Sequence, residues 1–340
     1  MISDKLFSWL ASAVICALLL TAGCAPVEKE AAPLELEQIP KAEPADTAVM
    51  ALKFTEQDST TYRLLTQTED GIRFGGSLAG DPQFKDKRNQ NKVLMTFVQQ
   101  IQDIDDKGNA LAKITIKELK CIVIYQNRVV LRFDSTKEDA NNPLANLIGQ
   151  SYTIEITPAG QVENIIDVEQ AQAAVAGDSS AHKTALKLLS ADAIKERHGT
   201  LVLPQAGQNQ LRTGQSWNNT KTFSFGLMGT ESYEKVYTLK QIDDDGARRT
   251  ATIQMDAIPA SQTQPQQAEQ TSSFLNMFDN THKYTGRLRL DLDTGKVEQY
   301  YEKLKSDGVA VDPQAGQKDA NEPDMVKIGI MRIYNLEKID

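Results

Sequence analysis

The chain has 340 residues, with 46 Asp and Glu against 37 Lys and Arg, for a formal net charge of −9. An acidic chain with no basic cluster lacks the electrostatic footprint of nucleic-acid binding, and it has no polybasic patch to draw it onto anionic lipid. Its length suits one large domain or two small ones with ample core.

The first element is an apolar run. Lys5 precedes Leu6–Leu20, and Leu20-Thr21-Ala22-Gly23 lead into Cys24. The run falls short of the roughly 20 residues that span a bilayer but suits the apolar part of an export signal. Small residues directly before a cysteine resemble the lipobox of bacterial lipoproteins. That resemblance implies that residues 1–23 are a signal peptide and that Cys24 carries the acyl chains, palmitate among them. It also implies export and anchoring at the cell envelope, with Ala25 in place of Asp favouring the outer membrane in a Gram-negative cell. Cys16 would leave with the signal, so Cys121 has no internal disulfide partner. Within the apolar run Leu119–Tyr125 it reads as a small core hydrophobe.

Residues 24–49 hold Pro26, Pro33, Pro40 and Pro44 among alanines and acids, with no apolar face to bury. This segment reads as a disordered acidic tether. Extended, it would reach roughly 80 Å; as a flexible coil it would average about 30 Å.

From residue 50 the pattern is β. Tyr62–Thr66 is a first strand, and Lys92–Ile101 and Ala110–Leu119 flank Asp105-Asp106-Lys107-Gly108, the chemistry of a hairpin turn. Val129–Phe133 follows. Tyr152, Ile154 and Ile156 then alternate before Pro158-Ala159-Gly160, and Val162 resumes beyond. Such one-sided alternation marks antiparallel sheet with a wet face and a core face. The middle, 167–200, reads as helical: Val168–Val175 is alanine-rich, Ser180 is placed as an N-cap, and Leu186, Leu189 and Ala193 share helical spacing up to Gly199.

The β pattern then repeats. Ile242-Asp243-Asp244-Asp245-Gly246 echoes Ile104–Gly108, offset by 138 residues from Gly108 to Gly246. Leu288, Leu290 and Leu292 before Asp293-Thr294-Gly295 echo Tyr152, Ile154 and Ile156 before Pro158-Ala159-Gly160, offset by 135 from Gly160 to Gly295. Matching order and offset point to duplication. Loops near 259–273 and 312–324 have polar Gln-, Pro- and Gly-rich compositions and are expected to be mobile. Between them Phe274, Leu275, Met277 and Phe278 form an apolar patch, either tucked into the core or covering an apolar groove. Met325–Tyr334 closes the chain as a strand. The fold class expected is mainly β with a helical insert: antiparallel curved sheets or half-barrels in two similar halves, 50–166 and 201–340, joined by the helical segment.

These strand–turn–strand halves, the helical middle, Leu203-Pro204 and Gly214-Gln215-Ser216-Trp217 resemble an uncharacterised family of exported bacterial lipoproteins over roughly residues 50–305. The resemblance brings no catalytic residues with it. The curved-sheet pattern is also similar in class to lipoprotein-carrier and lipid-carrier half-barrels, an analogy of fold alone.

Motifs for chemistry are missing from the sequence. Gly75-Gly76-Ser77-Leu78-Ala79 misses the Gly-x-Ser-x-Gly elbow by one residue and lacks its strand–helix setting. The acidic turns fail the calcium-loop pattern at its bidentate twelfth position, which holds Ile114 or Thr252. His182, His198 and His282 have no metal-ligand spacing, and the first two read as surface residues at helix ends. The acid pairs read as solvated, and Trp217 reads as a core plug. No catalytic residue, metal or cofactor is expected. The reading is a non-enzymatic envelope lipoprotein whose curved β-surface binds an apolar or extended ligand or partner. The alternative is a structural or assembly subunit that contacts other envelope proteins. Besides Cys24, the candidate residues are the patch Phe274, Leu275, Met277 and Phe278.

Overall fold

The computed structural model describes residues 47–137, 141–225, 230–260, 279–311 and 324–340. Its strands are β1 (Thr47–Val49), β2 (Ser59–Gly75), β3 (Lys87–Ile104), β4 (Ala110–Tyr125), β5 (Arg128–Asp134), β6 (Ser151–Ile156), β7 (Val162–Ile166), β8 (Gln210–Arg212), β9 (Ser216–Ser224), β10 (Thr230–Asp244), β11 (Arg249–Pro259), β12 (Asp279–Asp291), β13 (Val297–Val311) and β14 (Met325–Lys338). Three short helices lie between β7 and β8: α1 (Val168–Ala174), α2 (Ser180–Leu188) and α3 (Ala191–Gly199).

One antiparallel sheet of 12 strands runs β7-β6-β4-β3-β2-β14-β13-β12-β11-β10-β9, with β5 paired to β4. The strands alternate as their sequences require. In β4, Ala110, Ala112, Ile114 and Ile116 are fully buried, while Lys113 and Thr115 point the other way. The sheet is strongly curved. The Arg332 guanidinium on β14 lies 4.9 Å from the centre of the Phe223 ring on β9, although β10 to β13 intervene. In a flat sheet those strands would be about 24 Å apart.

The halves match in detail. The β3–β4 ladder slips between Ile101 and Asp103, and the β10–β11 ladder slips between Leu239 and Gln241, the same place at an offset of 138. The β6–β7 ladder slips next to Glu155, and the β12–β13 ladder slips at the equivalent Arg289. Bulges are built features that re-aim a strand, and shared bulges at shared registers make the halves alike beyond their common turn chemistry. Pairing corrects one detail of the alignment: Ile156 and Leu290 hold the same register, against Val162 and Val297, so the counterpart of Ile156 is Leu290 rather than Leu292. The second turn is one residue longer. Gly160 (φ +82) and Gly295 (φ +65) occupy these equivalent turns, and a Cβ on either would strike backbone, Leu201 O at 2.8 Å in the first and Lys53 N in the second.

Further differences from the sequence reading have local causes. Thr47–Val49, placed in the tether, pair with Gln210–Arg212, and Ala48 is buried, so order begins before residue 50. The helical stretch from residue 180 is two helices, because Ser190 interrupts it and its hydroxyl caps α3 by accepting from Ala193 N. The cap of α2 is Ser179, one residue earlier than Ser180, accepting from His182 N. The acidic turns are hairpin turns as expected: Asp105 accepts from Lys107 N and Asn109 N, and Asp245 accepts from Ala247 N and Arg248 N.

Candidate functional site

Each half fills its own concave side. In the first, the small and aliphatic side chains of β4 and β6 receive the helices, which bury Ala171, Val175, Ala185, Leu189 and Ile194. In the second, Tyr233, Tyr237 and Tyr300 fill the space themselves. Where the two arrangements meet, a hollow remains. It is an open-sided trough of ≈ 660 Å³ between β3, β2, β14 and β13 on one side and α2, α3 and β9 on the other, within the size range of small-molecule sites. Leu304, Ile328 and Ile330 give it a buried apolar floor, and Phe223 and Leu188 stand opposite.

Its inner end is polar. Lys235, 1% exposed, places Nζ 2.7 Å from Glu302 Oε2. The same oxygen accepts from Tyr300 OH at 2.6 Å, and Oε1 accepts from Tyr284 OH at 2.9 Å. Tyr237 OH lies 3.1 Å from Tyr300 OH, and Trp217 stacks on Tyr237 at 5.1 Å while its Nε1 donates to Val202 O. A buried charge persists only when paired and hydrogen-bonded, and here both conditions hold. Burial pushes the Lys235 ammonium toward neutrality, but the adjoining Glu302 carboxylate outweighs it and raises the pKa. Burial drives the Tyr300 and Tyr284 hydroxyls far up, and Glu302 adds to both. Glu302 and Tyr284 form the part of this network that reaches the trough.

A second polar group ties the helices to the sheet. Arg197, in the last turn of α3, donates to Tyr152 OH at 2.8 Å and to Leu188 O at 2.7 Å, and its carbonyl accepts from Tyr334 OH. Tyr152 OH lies 2.8 Å from His198 Nε2, and the His198 ring meets Phe97 edge-on at 5.0 Å. Burial, then the neighbouring Arg197 charge, holds the imidazole well below its usual pKa. This corrects the reading of His198 as a surface residue: the last turn of α3 faces the sheet. Asn91 Oδ1 beside the trough and Ser306 Oγ in β13 are buried with no hydrogen-bond partner.

Cys24 and the patch Phe274, Leu275, Met277 and Phe278 lie outside the described residues, as do 261–273 and 312–323 of the expected loops. Ser77 sits in a 3-10 turn with its hydroxyl donating to Asp324. Sequence reasoning missed Lys235, Glu302 and Arg332. Each occupies an inward position by simple alternation, Lys235 between Tyr233 and Tyr237, Glu302 between Tyr300 and Leu304, and Arg332 between Ile330 and Tyr334. A charge in core phase on a strand was the available signal.

No functionally curated protein matches the chain. Among solved structures, it is similar to lipovitellin, described for its lipid–protein interactions, at 10% identity and a TM-score of 0.41. That match covers 85% of this chain and 26% of the other, so the chain spans about a quarter of that relative. It is also similar to DynF from the dynemicin biosynthesis pathway of Micromonospora chersina (8% identity, TM-score 0.17, 92% and 94% covered) and to OpdQ of Pseudomonas aeruginosa (8%, 0.16, 82% and 97%). These scores are too low for any property of those proteins to pass to this one. A family profile matches residues 107–297, from the β3–β4 turn through the three helices and the β10–β11 hairpin to the start of β13. That is more than half of the chain, which therefore belongs to the family of unknown function DUF6263.

Proposed function

We propose that this protein is a non-enzymatic, membrane-anchored envelope lipoprotein of bacterial type that holds an apolar or extended ligand in the trough of its curved sheet. The observation that carries the reading is the hollow itself. Both halves are packed with side chains, yet ≈ 660 Å³ stays open along a buried floor of Leu304, Ile328 and Ile330. A pure scaffold has no use for such a space, since unfilled apolar floor forgoes packing energy. Anchoring through acyl chains on Cys24 would hold the trough within a tether's reach of a membrane, on average about 30 Å, where apolar ligands are found. The test is binding of the neutral apolar dye Nile red by the full chain, before and after the trough is filled by Ile330→Trp or Thr66→Trp. Loss of dye binding with unchanged circular dichroism supports a ligand trough. Undiminished binding in both folded variants refutes it and favours a structural subunit.

A further inference from the structure

We propose that the trough takes a single-chain amphiphile with an anionic oxyacid head, which seats on Arg332 and Lys221 while its apolar chain lies along Ile330, Ile328 and Ile72. The inference rests on the ligand-trough reading and adds the charge and orientation of the occupant.

Arg332 points inward from β14, in register with Thr68 on β2 and Leu304 on β13. Its guanidinium crosses the trough and lies over the Phe223 ring at 4.9 Å. There it finds two distant partners, Ser224 O at 3.5 Å and Glu196 Oε1 at 3.8 Å. A guanidinium carries five N–H donors in a planar fork shaped for a carboxylate or phosphate, so most of this fork is unspent. The Glu196 side chain is 56% exposed, and an ion pair so long and so wet contributes little. Lys221 Nζ is also near this ring, 5.9 Å from its centre. Among the described residues no carboxylate lies within 4.0 Å of Lys221, nor of Lys187 on the facing turn of α2.

Two acids of the trough are ion-paired, Glu69 bidentate to Arg88 and Glu302 with Lys235. Asp70, in register with Ile330, accepts from Asn89, a neutral donor that leaves its carboxylate uncompensated, and with Glu196 it stands against Arg332, Lys221, Lys187 and Arg197. What remains is a local excess of positive charge at the rim of a protein whose net charge is −9. The apolar run Ile330–Ile328–Ile72 leads away from it along paired strands. Positive rim and apolar floor together describe an amphiphile: a neutral chain would leave the fork unspent, and a small free anion would leave the floor empty.

Displacement of Nile red from the full chain by dodecanoate, dodecyl phosphate, dodecanol and inorganic phosphate tests this. A charge-assisted bidentate contact should make one or both anionic amphiphiles about tenfold more potent than dodecanol, and the stronger of the two identifies the head. Arg332→Gln with Lys221→Gln should abolish that preference and leave dodecanol unchanged. Equal potency of all three chains, or an equal loss for all three in the variant, overturns the proposal while leaving the ligand trough standing. Displacement by inorganic phosphate at the potency of dodecyl phosphate also overturns it, because the chain would then contribute nothing. Failure of Nile red to bind at all would instead sink the trough reading beneath it.

Discussion

Stability should depend on Glu302 through Lys235, and a double-mutant cycle can read that dependence. Glu302→Leu strands a Lys235 ammonium that is almost wholly inaccessible. Stranding a buried charge costs about 3–5 kcal/mol, and Tyr284 and Tyr300 also lose their acceptor, at about 1 kcal/mol each. The single variant should therefore lose about 5 kcal/mol or more. Lys235→Met leaves the carboxylate with its two tyrosine donors and should lose about 3 kcal/mol. The double variant strands no charge, and its remaining cost is the two tyrosine hydroxyls, about 2 kcal/mol together. It should be more stable than Glu302→Leu alone, a reversal that additive effects cannot produce. Urea midpoints at neutral pH, followed by fluorescence of Trp217 on the neighbouring Tyr237, measure this directly. A double variant at least as unstable as Glu302→Leu would refute a coupled ion pair at this position.

Three shorter predictions address other parts of the molecule. The native imidazole of His198 stays neutral because its pKa is held well below the usual 6.5, so the unfolded chain binds a proton that the native state refuses. Its contribution is complete above the unfolded pKa and is lost as pH falls through the lowered native value, at up to about 1.4 kcal/mol per pH unit; urea midpoints across that window should fall more steeply for wild type than for His198→Gln, and parallel slopes would contradict this. Gly295→Ala forces a Cβ against Lys53 N at φ +65, whereas Gly246 (φ +80) faces open space; the first should cost more than the roughly 1–2 kcal/mol of left-handed backbone expected for Gly246→Ala, and equal costs would show that the Lys53 contact is not tight. Cys24→Ser should move the protein from the membrane to the soluble fraction and remove palmitate label, and an unaltered distribution would dismiss the lipid anchor.

The sequence displayed the hairpins plainly, because period-two alternation and positive-φ glycines are local signals. Gly108 and Gly246, and Gly160 and Gly295, could be matched by offset alone, and each pair shares its turn in the structure. What stayed hidden depends on distant pairing. Nothing near Ser59–Gly75 or Met325–Lys338 announces that these strands pair along fourteen registered positions from Tyr62–Lys338 to Gly75–Met325, yet this ladder makes two halves into one sheet. The polar network was hidden for a different reason. Lys235 and Glu302 read singly as ordinary surface charges, and they become informative only when each is set against the apolar phase of its own strand.

The trough follows from how the two halves diverge. Ile165 and Tyr300 are equivalent positions, paired to the equivalent Ile154 and Leu288. One inward step later the paths separate. In the first half the strand has ended at Ile166, and Asp167, at φ 58, turns the chain into α1. In the second half the equivalent residue is Glu302, still within β13, which continues to Val311. The first half therefore gains helices that need a concave face lined by small side chains, which Ala110 and Ala112 supply. The second half gains strand length without helices, and fills the near part of its concavity with tyrosines around Lys235. Beyond those tyrosines the extended part of β13, at Leu304, faces Phe223 and Leu188 only across the open trough. The helices of the first half reach across, through Arg197 to Tyr334, and cover one side. The hollow is thus the space between two ways of filling the same curved sheet, and Arg332, rooted in the strand that joins the halves, is the side chain that spans it.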